Sequence, residues 1–465
     1  MGSLDAYSEL QASLLLVRTG HPGTDHPPPP EDYWVKAPNG RFYQAHDIGN
    51  VVLLVPAALL GSLSSSDPTE RLVAAPPPIS RVASALTYAV LGAFTALFAY
   101  KLFALFTPAR TALLLTVLFV AATPFWAYTR TCWDVLGGCF GVAALVYFSA
   151  RYLSAGADCL RMALFAGVAA GIACAFRFSL TPFLMLALAG VFLHGPSGLR
   201  LKALLIAGFS FAVALAPSLL YNAIRTGAPW NPATRAPQYA IQNSLDGDLL
   251  TGLYGLTVAP NHGLFLFSPI LLLCFGVFFL RVARPVRLIS LWFGVVTLLY
   301  TLTIAMKAQW AAMGWGPRYL VPFLPVFALS AGMTALHLWP RFRRSVLALT
   351  AASLVINIAP GLVNWPLALA MAPRAHEALA PGPFQQLAAW HAVWTGVNGR
   401  PLPAPQDLAS DSVRSTGRSF PDFLVVRLME RSPAGLAAGL LALAVLLALG
   451  AWSLRLLIRI PAAQQ

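Results

Sequence analysis

Charge is what this sequence has least of. Asp, Glu, Lys and Arg together make 10% of its 465 residues, where a soluble domain carries roughly a quarter. Hydrophobic residues make 58%, and the mean hydropathy is +0.68. So few charges cannot cover the surface of a freely soluble globule of this length. Cysteine is scarce as well. Cys132, Cys139, Cys159, Cys174 and Cys274 lie in or beside apolar runs with no C-x-x-C pair, which excludes a zinc ribbon and a disulfide framework. Acidic residues number 17 against 31 basic ones, a net charge of +14. That surplus does not describe a nucleic-acid binder, because the cations sit one to three at a time at the ends of apolar runs, where membrane proteins place helix anchors. An internal repeat of the kind many transporters show is also missing.

What is present is a succession of apolar runs that reach or approach the roughly 20 residues needed to cross a bilayer. They predict spans near 81–106, 111–128, 133–150, 162–178, 180–194, 200–221, 263–280, 288–306, 319–339, 345–363 and 434–456. The expectation is an all-α polytopic membrane protein of about eleven transmembrane helices. Residues 48–63 form a shorter apolar run suited to a helix lying in the interface. One set of alternate loops carries Arg110, then Arg151 and Arg161, Arg200 and Lys202, Arg281, Arg284 and Arg287, Arg341, Arg343 and Arg344, and finally Arg455 and Arg459. The short loops of the other set hold only Arg130, Arg177, Lys307 and Arg318. The positive-inside rule makes the richer set cytoplasmic. Three long segments then lie outside: a first loop over 1–80, a loop over 222–262 within the helical core 81–363, and a loop over 364–433 before the last span and cytoplasmic tail, 434–465.

The outer segments hold the candidate chemistry. Residues 4–18 read as a short amphipathic helix with Ala6, Leu10, Leu14 and Val17 on one face. Asp5 stands in its first turn, where the helix dipole favours a carboxylate; Ser8 and Glu9 fall on other faces. Asp25-His26 and His46-Asp47 pair an acid with an imidazole, an arrangement that carries protons or binds a metal ion when it is not simply solvated. A divalent metal is therefore compatible with the sequence, though the spacing makes no metal motif. Arg130, Arg177, Lys307 and Arg318 form an outward-facing basic collar at headgroup depth, suited to a lipid phosphate or pyrophosphate. Asp134, one helical turn from Arg130, is placed to pair with it.

These features in this order resemble the GT-C superfamily of membrane glycosyltransferases, in its protein O-mannosyltransferase-like branch. The resemblance rests on Asp5-Ala6-Tyr7 through Thr19-Gly20, on Ala45-His46-Asp47-Ile48-Gly49 with Pro56, and on Tyr128-Thr129-Arg130-Thr131 with Trp133-Asp134. It continues through Phe176-Arg177 with Thr181-Pro182, Asn222 with Thr226-Gly227 and Asn231-Pro232, and Pro260 through Gly263, which includes His262. Its sharpest stretch is Gly316-Pro317-Arg318-Tyr319-Leu320 with Pro322. His46-Asp47 departs from the Tyr-Pro of relatives. The resemblance implies transfer of a sugar, with inversion, from a polyprenyl-phosphate carrier to an acceptor hydroxyl outside the membrane. It makes Asp5 the general base, with Asp47 and Asp134 as further catalytic acids. Arg130, Arg177, Lys307 and Arg318 would bind the lipid phosphate, and His46, Asn222 and His262 would line the loops around the substrate. It also implies that a first span of relatives is missing before residue 1.

Two other classes fit the composition, a transporter or flippase for a phosphate-bearing lipid or glycolipid, and a membrane scaffold whose outer loops bind a partner. The charges gather at one face rather than mid-membrane, which favours surface chemistry. The Arg-rich, Ala/Leu-rich composition suits a bacterial inner (plasma) membrane with the active face extracytoplasmic. Sugar and acceptor stay open among protein, lipid and glycan; a nucleic-acid partner is not expected.

Overall fold

The computed structural model describes residues 4–154, 158–232, 244–311, 314–363, 385–397 and 444. The first segment carries α1 (Leu4–Thr19), a three-stranded antiparallel sheet, and the short helices α2 (Ile48–Leu53), α3 (Val55–Leu63) and α4 (Thr69–Ala74). Next come α5 (Pro78–Phe103), α6 (Ala109–Ala121), α7 (Phe125–Tyr128), α8 (Asp134–Ser154), α9 (Cys159–Phe176), α10 (Thr181–Leu193) and α11 (Arg200–Thr226). The rest comprises α12 (Leu249–Thr257), α13 (Leu264–Phe267), α14 (Arg284–Ala305), α15 (Leu324–Leu362) and α16 (Gln385–Val397), with 3-10 turns over Pro269–Phe278 and Arg318–Phe323.

Proline and glycine set many of these boundaries. Proline lies in the first turn of α5, α10, α14 and α15, where its missing N–H has no intrahelical partner to lose. Gly227 ends α11 in the left-handed conformation, φ 79°, and its N–H caps the Ala223 carbonyl at 3.0 Å. The long helices pack through small residues. A Cβ at Gly141 of α8 would lie 2.6 Å from the Ala173 backbone of α9, and one at Gly167 would lie 2.1 Å from the Ala207 carbonyl oxygen of α11.

Among the described residues six helical stretches are long and apolar enough to cross a membrane: 78–103, 134–154, 159–176, 197–226, 284–305 and 318–362. The chain is an integral membrane protein. The expected eleven spans are not all of this kind. The run 111–128 divides at Thr123-Pro124 into α6 and α7, and 263–280 divides at Ser268-Pro269 into α13 and a 3-10 turn, because proline disfavours helix in the residue before it. The runs 319–339 and 345–363 fall within a single stretch, Arg318–Leu362, that bends at Phe342 (φ −121°, ψ 32°) two residues after Pro340. The run 434–456, residue 444 apart, and most of the loop 364–433 lie outside the described residues.

The first segment folds against the helix ends rather than standing off them. Strand β3 (Phe42–Gln44) lies between β1 (Gly23–Thr24) and β2 (Trp34–Lys36), with Trp34 opposite Gln44 and Gly23 opposite Tyr43. α1 is not the half-solvated helix of the sequence reading. Ser8, Glu9, Gln11 and Ser13 on its polar face are as buried as Leu10 and Leu14. Their polar atoms are used: Gln11 donates to the carbonyls of Pro29 and Val73, and Ser13 to those of Glu9 and Val51. Gly49 lets α2 reach the end of α9, since a Cβ there would lie 2.7 Å from the Ala175 backbone.

One fully buried cation ties this segment to the bundle. Arg225, in the last turn of α11, donates from Nη1 to the carbonyls of Gln44 (3.1 Å), Ala45 (2.8 Å) and His46 (2.5 Å). Its Nη2 reaches Asp47 Oδ1 at 3.3 Å and Asn222 Oδ1 at 2.7 Å. Asp47 Oδ2 in turn accepts from the Phe178 N–H at 2.8 Å, beside the break after α9. Burial pushes the Asp47 carboxyl up, while Arg225 and the Phe178 N–H pull it back. Removing the guanidinium strands a buried carboxylate and three buried carbonyls. Arg225→Met should therefore lose about 3–5 kcal/mol, read as a fall in thermal melting temperature in detergent, with Arg225→Lys recovering only part because one ammonium cannot span the fork.

Candidate functional site

Asp134 opens α8 and lies between two arginines that the chain brings from far away. Its Oδ2 is 3.2 Å from Arg177 Nη1, and its Oδ1 accepts from Arg318 Nη2 at 3.0 Å. Arg177 follows the last residue of α9, where the backbone breaks (φ −149°, ψ 89°). Arg318 follows Gly316-Pro317; Gly316 adopts φ 63°, and a Cβ there would also press on the Phe267 ring at 2.9 Å. Only glycine meets both demands without strain.

Aromatic faces hold the cations in place. The Arg318 guanidinium lies 4.2 Å over Trp133, and Arg177 lies 4.7 Å over Tyr319. Lys307 approaches the same Tyr319 ring at 5.6 Å. Behind them Tyr128 donates to the Trp315 carbonyl at 3.0 Å and packs on Trp133. The Arg177 side chain is only 9% exposed. Its Nε and Nη1 donate no hydrogen bond of good geometry among the described residues; the 3.2 Å approach to Asp134 is close enough for an ion pair but poorly aimed. A buried guanidinium with unused donors is unusual in a folded protein and equips this cluster to take a further acceptor, above all an anion.

The other expected residues sort into three places. Arg130 stands apart from the cluster: its Nη1 donates to the carbonyls of Pro360 (3.1 Å), Gly361 (2.5 Å) and Val363 (3.2 Å), capping the end of α15. The acid expected to pair with it, Asp134, faces Arg177 and Arg318 instead. Asp47 and Asn222 belong to the Arg225 clamp. His46 meets buried Glu9, Nδ1 to Oε1 at 3.2 Å, with the edge of Tyr33 against its ring at 5.9 Å. His262 is buried, 6.3 Å from the Trp310 ring, next to Asn261, which accepts from the Gln385 N–H and so joins this loop to α16. Asp5 lies in the first turn of α1; its side chain is outside the described residues.

Among the described residues no three His, Cys, Asp or Glu side chains gather into a metal set. The two acids expected for one already face cations: Asp25 against Arg41 at 3.4 Å and Asp47 against Arg225 at 3.3 Å. Among the described residues this donor set does not fit a divalent ion.

Sequence reasoning missed Arg225 and Glu9. Asn222-x-x-Arg225 at the end of an apolar run was the available signal for the first, since i, i+3 spacing puts both on one helix face. Nothing short of the fold shows that Glu9 turns inward.

No family model matches the chain, and no curated protein does. Solved structures do match. ArnT from Cupriavidus metallidurans bound to undecaprenyl phosphate superposes with a TM-score of 0.51 at 14% identity, over 84% of this chain and 70% of that one. The archaeal oligosaccharyltransferase AglB from Archaeoglobus fulgidus, in complex with an inhibitory peptide and a dolichol-phosphate, gives a TM-score of 0.39 at 12% identity. That overlap covers 94% of this chain and 55% of the other, and it adds nothing to the assignment. The likeness to ArnT is one of fold: this chain is a mostly helical membrane protein that shares the ArnT fold.

Asp134→Asn should separate the two guanidiniums and lower the melting temperature. Millimolar inorganic phosphate or sulfate should restore more of it in the variant than in the parent, because the anion replaces the lost carboxylate; thermal unfolding with and without the anion measures this.

Proposed function

We propose that the protein is an inverting glycosyltransferase of the protein O-mannosyltransferase-like kind. It moves a hexosyl or pentosyl group from a polyprenyl-phosphate carrier to an acceptor hydroxyl on the extracytoplasmic side. The observation that carries this reading is the buried Arg177 with unused donors, gathered with Arg318 and Lys307 around Tyr319 on a GT-C-type fold. A polyprenyl-phosphate sugar already has its leaving group. The site then needs cations where the departing phosphate gains charge, a proton acceptor beside the nucleophile, and alignment of the two. Arg177, Arg318 and Lys307 supply the first. Asp134 aims the two guanidiniums and keeps like charges from driving them apart, so its part is positioning rather than proton transfer. Arg130 is committed to the carbonyls at the end of α15.

The acceptor enters from the first segment, whose α1 carries Asp5 in its first turn. Clamped by Arg225, that segment lies against the break that presents Arg177, so donor and acceptor sides share one rigid support. Undecaprenyl phosphate bound to ArnT supports a lipid of that chemistry as the carrier here.

Purified protein is given a panel of polyprenyl-phosphate sugars and scored for release of polyprenyl phosphate. The parent should release it from one donor class, and Arg177→Met or Arg318→Met should lower kcat/KM by about 10²–10³-fold. Arg130→Met should act mainly through stability. No release from any donor, with movement of labelled lipid between vesicle leaflets instead, would replace this reading with the flippase alternative.

A further inference from the structure

A hydroxyl buried inside a helical bundle nearly always has a hydrogen-bond partner, because leaving water without one costs free energy. Tyr300 on α14 departs from that rule. The residue is 1% exposed, and its hydroxyl has no partner among the described residues. Its neighbours on the same helix avoid this by turning back on the backbone: Thr297 donates to the Phe293 carbonyl at 2.6 Å and Thr301 to that of Thr297 at 2.7 Å. A phenol stands too far from its own backbone to do so. Tyr128, Tyr152 and Tyr221, buried like it, each donate to a carbonyl on a distant part of the chain. Tyr300 can be satisfied only by a group that comes from elsewhere.

The Tyr300 ring is fixed where Arg177 and Arg318 arrive. It packs edge-on against Phe183 of α10 at 5.2 Å, and at 5.4 Å against Phe323, in the 3-10 turn that begins with Arg318. That turn also carries Tyr319, the ring beneath the Arg177 guanidinium at 4.7 Å. The Tyr300 phenol interacts electrostatically with both Arg177 and Tyr319. Lys307, about two helical turns further along the same chain segment, approaches the Tyr319 ring as well. Arg177 Nε and Nη1 are the other buried donors here that lack an acceptor of good geometry among the described residues. A phenol oxygen can accept from a guanidinium, yet neither group serves the other. What both lack is a shared acceptor.

Resting on the phosphate site of the transferase reading above, we infer that the Tyr300 hydroxyl donates to the phosphate that Arg177 receives. The phosphate brings the acceptor oxygens that the phenol and the guanidinium lack. A hydrogen bond of this kind strengthens with the charge on its acceptor. A sugar-bearing phosphodiester carries one negative charge, whereas a phosphate monoester carries close to two at neutral pH. Tyr300 therefore holds polyprenyl phosphate more tightly than the donor from which it departs. The phenol stays neutral and keeps its proton, and its part is binding rather than proton transfer.

The test uses the full-length protein in detergent. Tyr300→Phe keeps the ring against Phe183 and Phe323 and removes only the oxygen. Without ligand the variant should melt at the parental temperature or above it, since the lost hydroxyl has no partner there; a clear fall would reveal a structural partner and overturn the inference. Binding is then measured calorimetrically for undecaprenyl phosphate, undecaprenol and inorganic phosphate. The variant should bind undecaprenyl phosphate about 10–10²-fold more weakly, with its affinity for undecaprenol at the parental value. Combined with Arg177→Met the loss should be less than additive, because the two groups hold one ligand. A loss toward inorganic phosphate alone would keep the phenol on an anion and make free phosphate its source. Parental affinity for both phosphates, an equal loss toward undecaprenol, or full additivity with Arg177→Met would each overturn the inference. Release of polyprenyl phosphate from sugar-bearing donors is scored separately, and there Tyr300→Phe should lower kcat more than it raises the donor KM. A parent protein that binds undecaprenyl phosphate through Tyr300 but releases it from no donor would overturn the transferase reading and leave the phosphate contact standing.

Discussion

Asp134 is one carboxylate shared by two guanidiniums, from the end of α9 and from the turn before α15, and the arrangement of the site follows from that sharing. Two arginines this close in a poorly solvated place repel each other strongly and each loses hydration. A single acid between them offsets part of both costs and fixes the direction in which each fork points. Stacking on Trp133 and Tyr319 then holds the planes. The glycine turn at Gly316 and the backbone break at Arg177 are the local conformations that let those two side chains arrive at one carboxylate.

A second buried charge does for the first segment what Asp134 does for the cluster. Arg225 collects three successive carbonyls, Asp47 and Asn222, and through Asp47 it also fixes the N–H of Phe178, next to Arg177. The two networks therefore meet at the end of α9. Such a segment, rich in proline and short of regular structure, would otherwise carry many unpaired backbone groups. Here its carbonyls are satisfied by side chains of the bundle, and the polar face of α1 is buried against its own loop. Acids that look equivalent in sequence acquire different work from this packing: Asp134 and Asp47 are fixed by arginines, while Glu9 orients an imidazole.

Much of this protein is legible in its sequence because a bilayer restricts what an apolar run can be. Long runs must become helices, so the long apolar helices among the described residues and their cationic flanks could be read directly. Pro182, Gly227 and Gly316-Pro317 announced their boundaries by backbone chemistry alone. Counting spans was harder, because a run broken at Thr123-Pro124 or Ser268-Pro269 has the same composition as an unbroken one. The stretch around Arg318 lies beside Arg177 and Asp134 in the fold, whereas Arg130 is turned to the end of α15.

What only the tertiary structure decided was pairing. Local spacing put Asp134 with Arg130, yet the contacts that hold it come from residues 43 and 184 positions away, and Arg130 serves the end of a helix some 230 positions on. Glu9 and Arg225 carried no mark of their burial, because a lone charge beside an apolar run reads as solvated until the chain that covers it is known. Sequence determined which segments enter the membrane, since that depends on the sum of many local transfer energies. The partner of each charge depends on a few contacts between distant elements, and those exist only once the helices have packed.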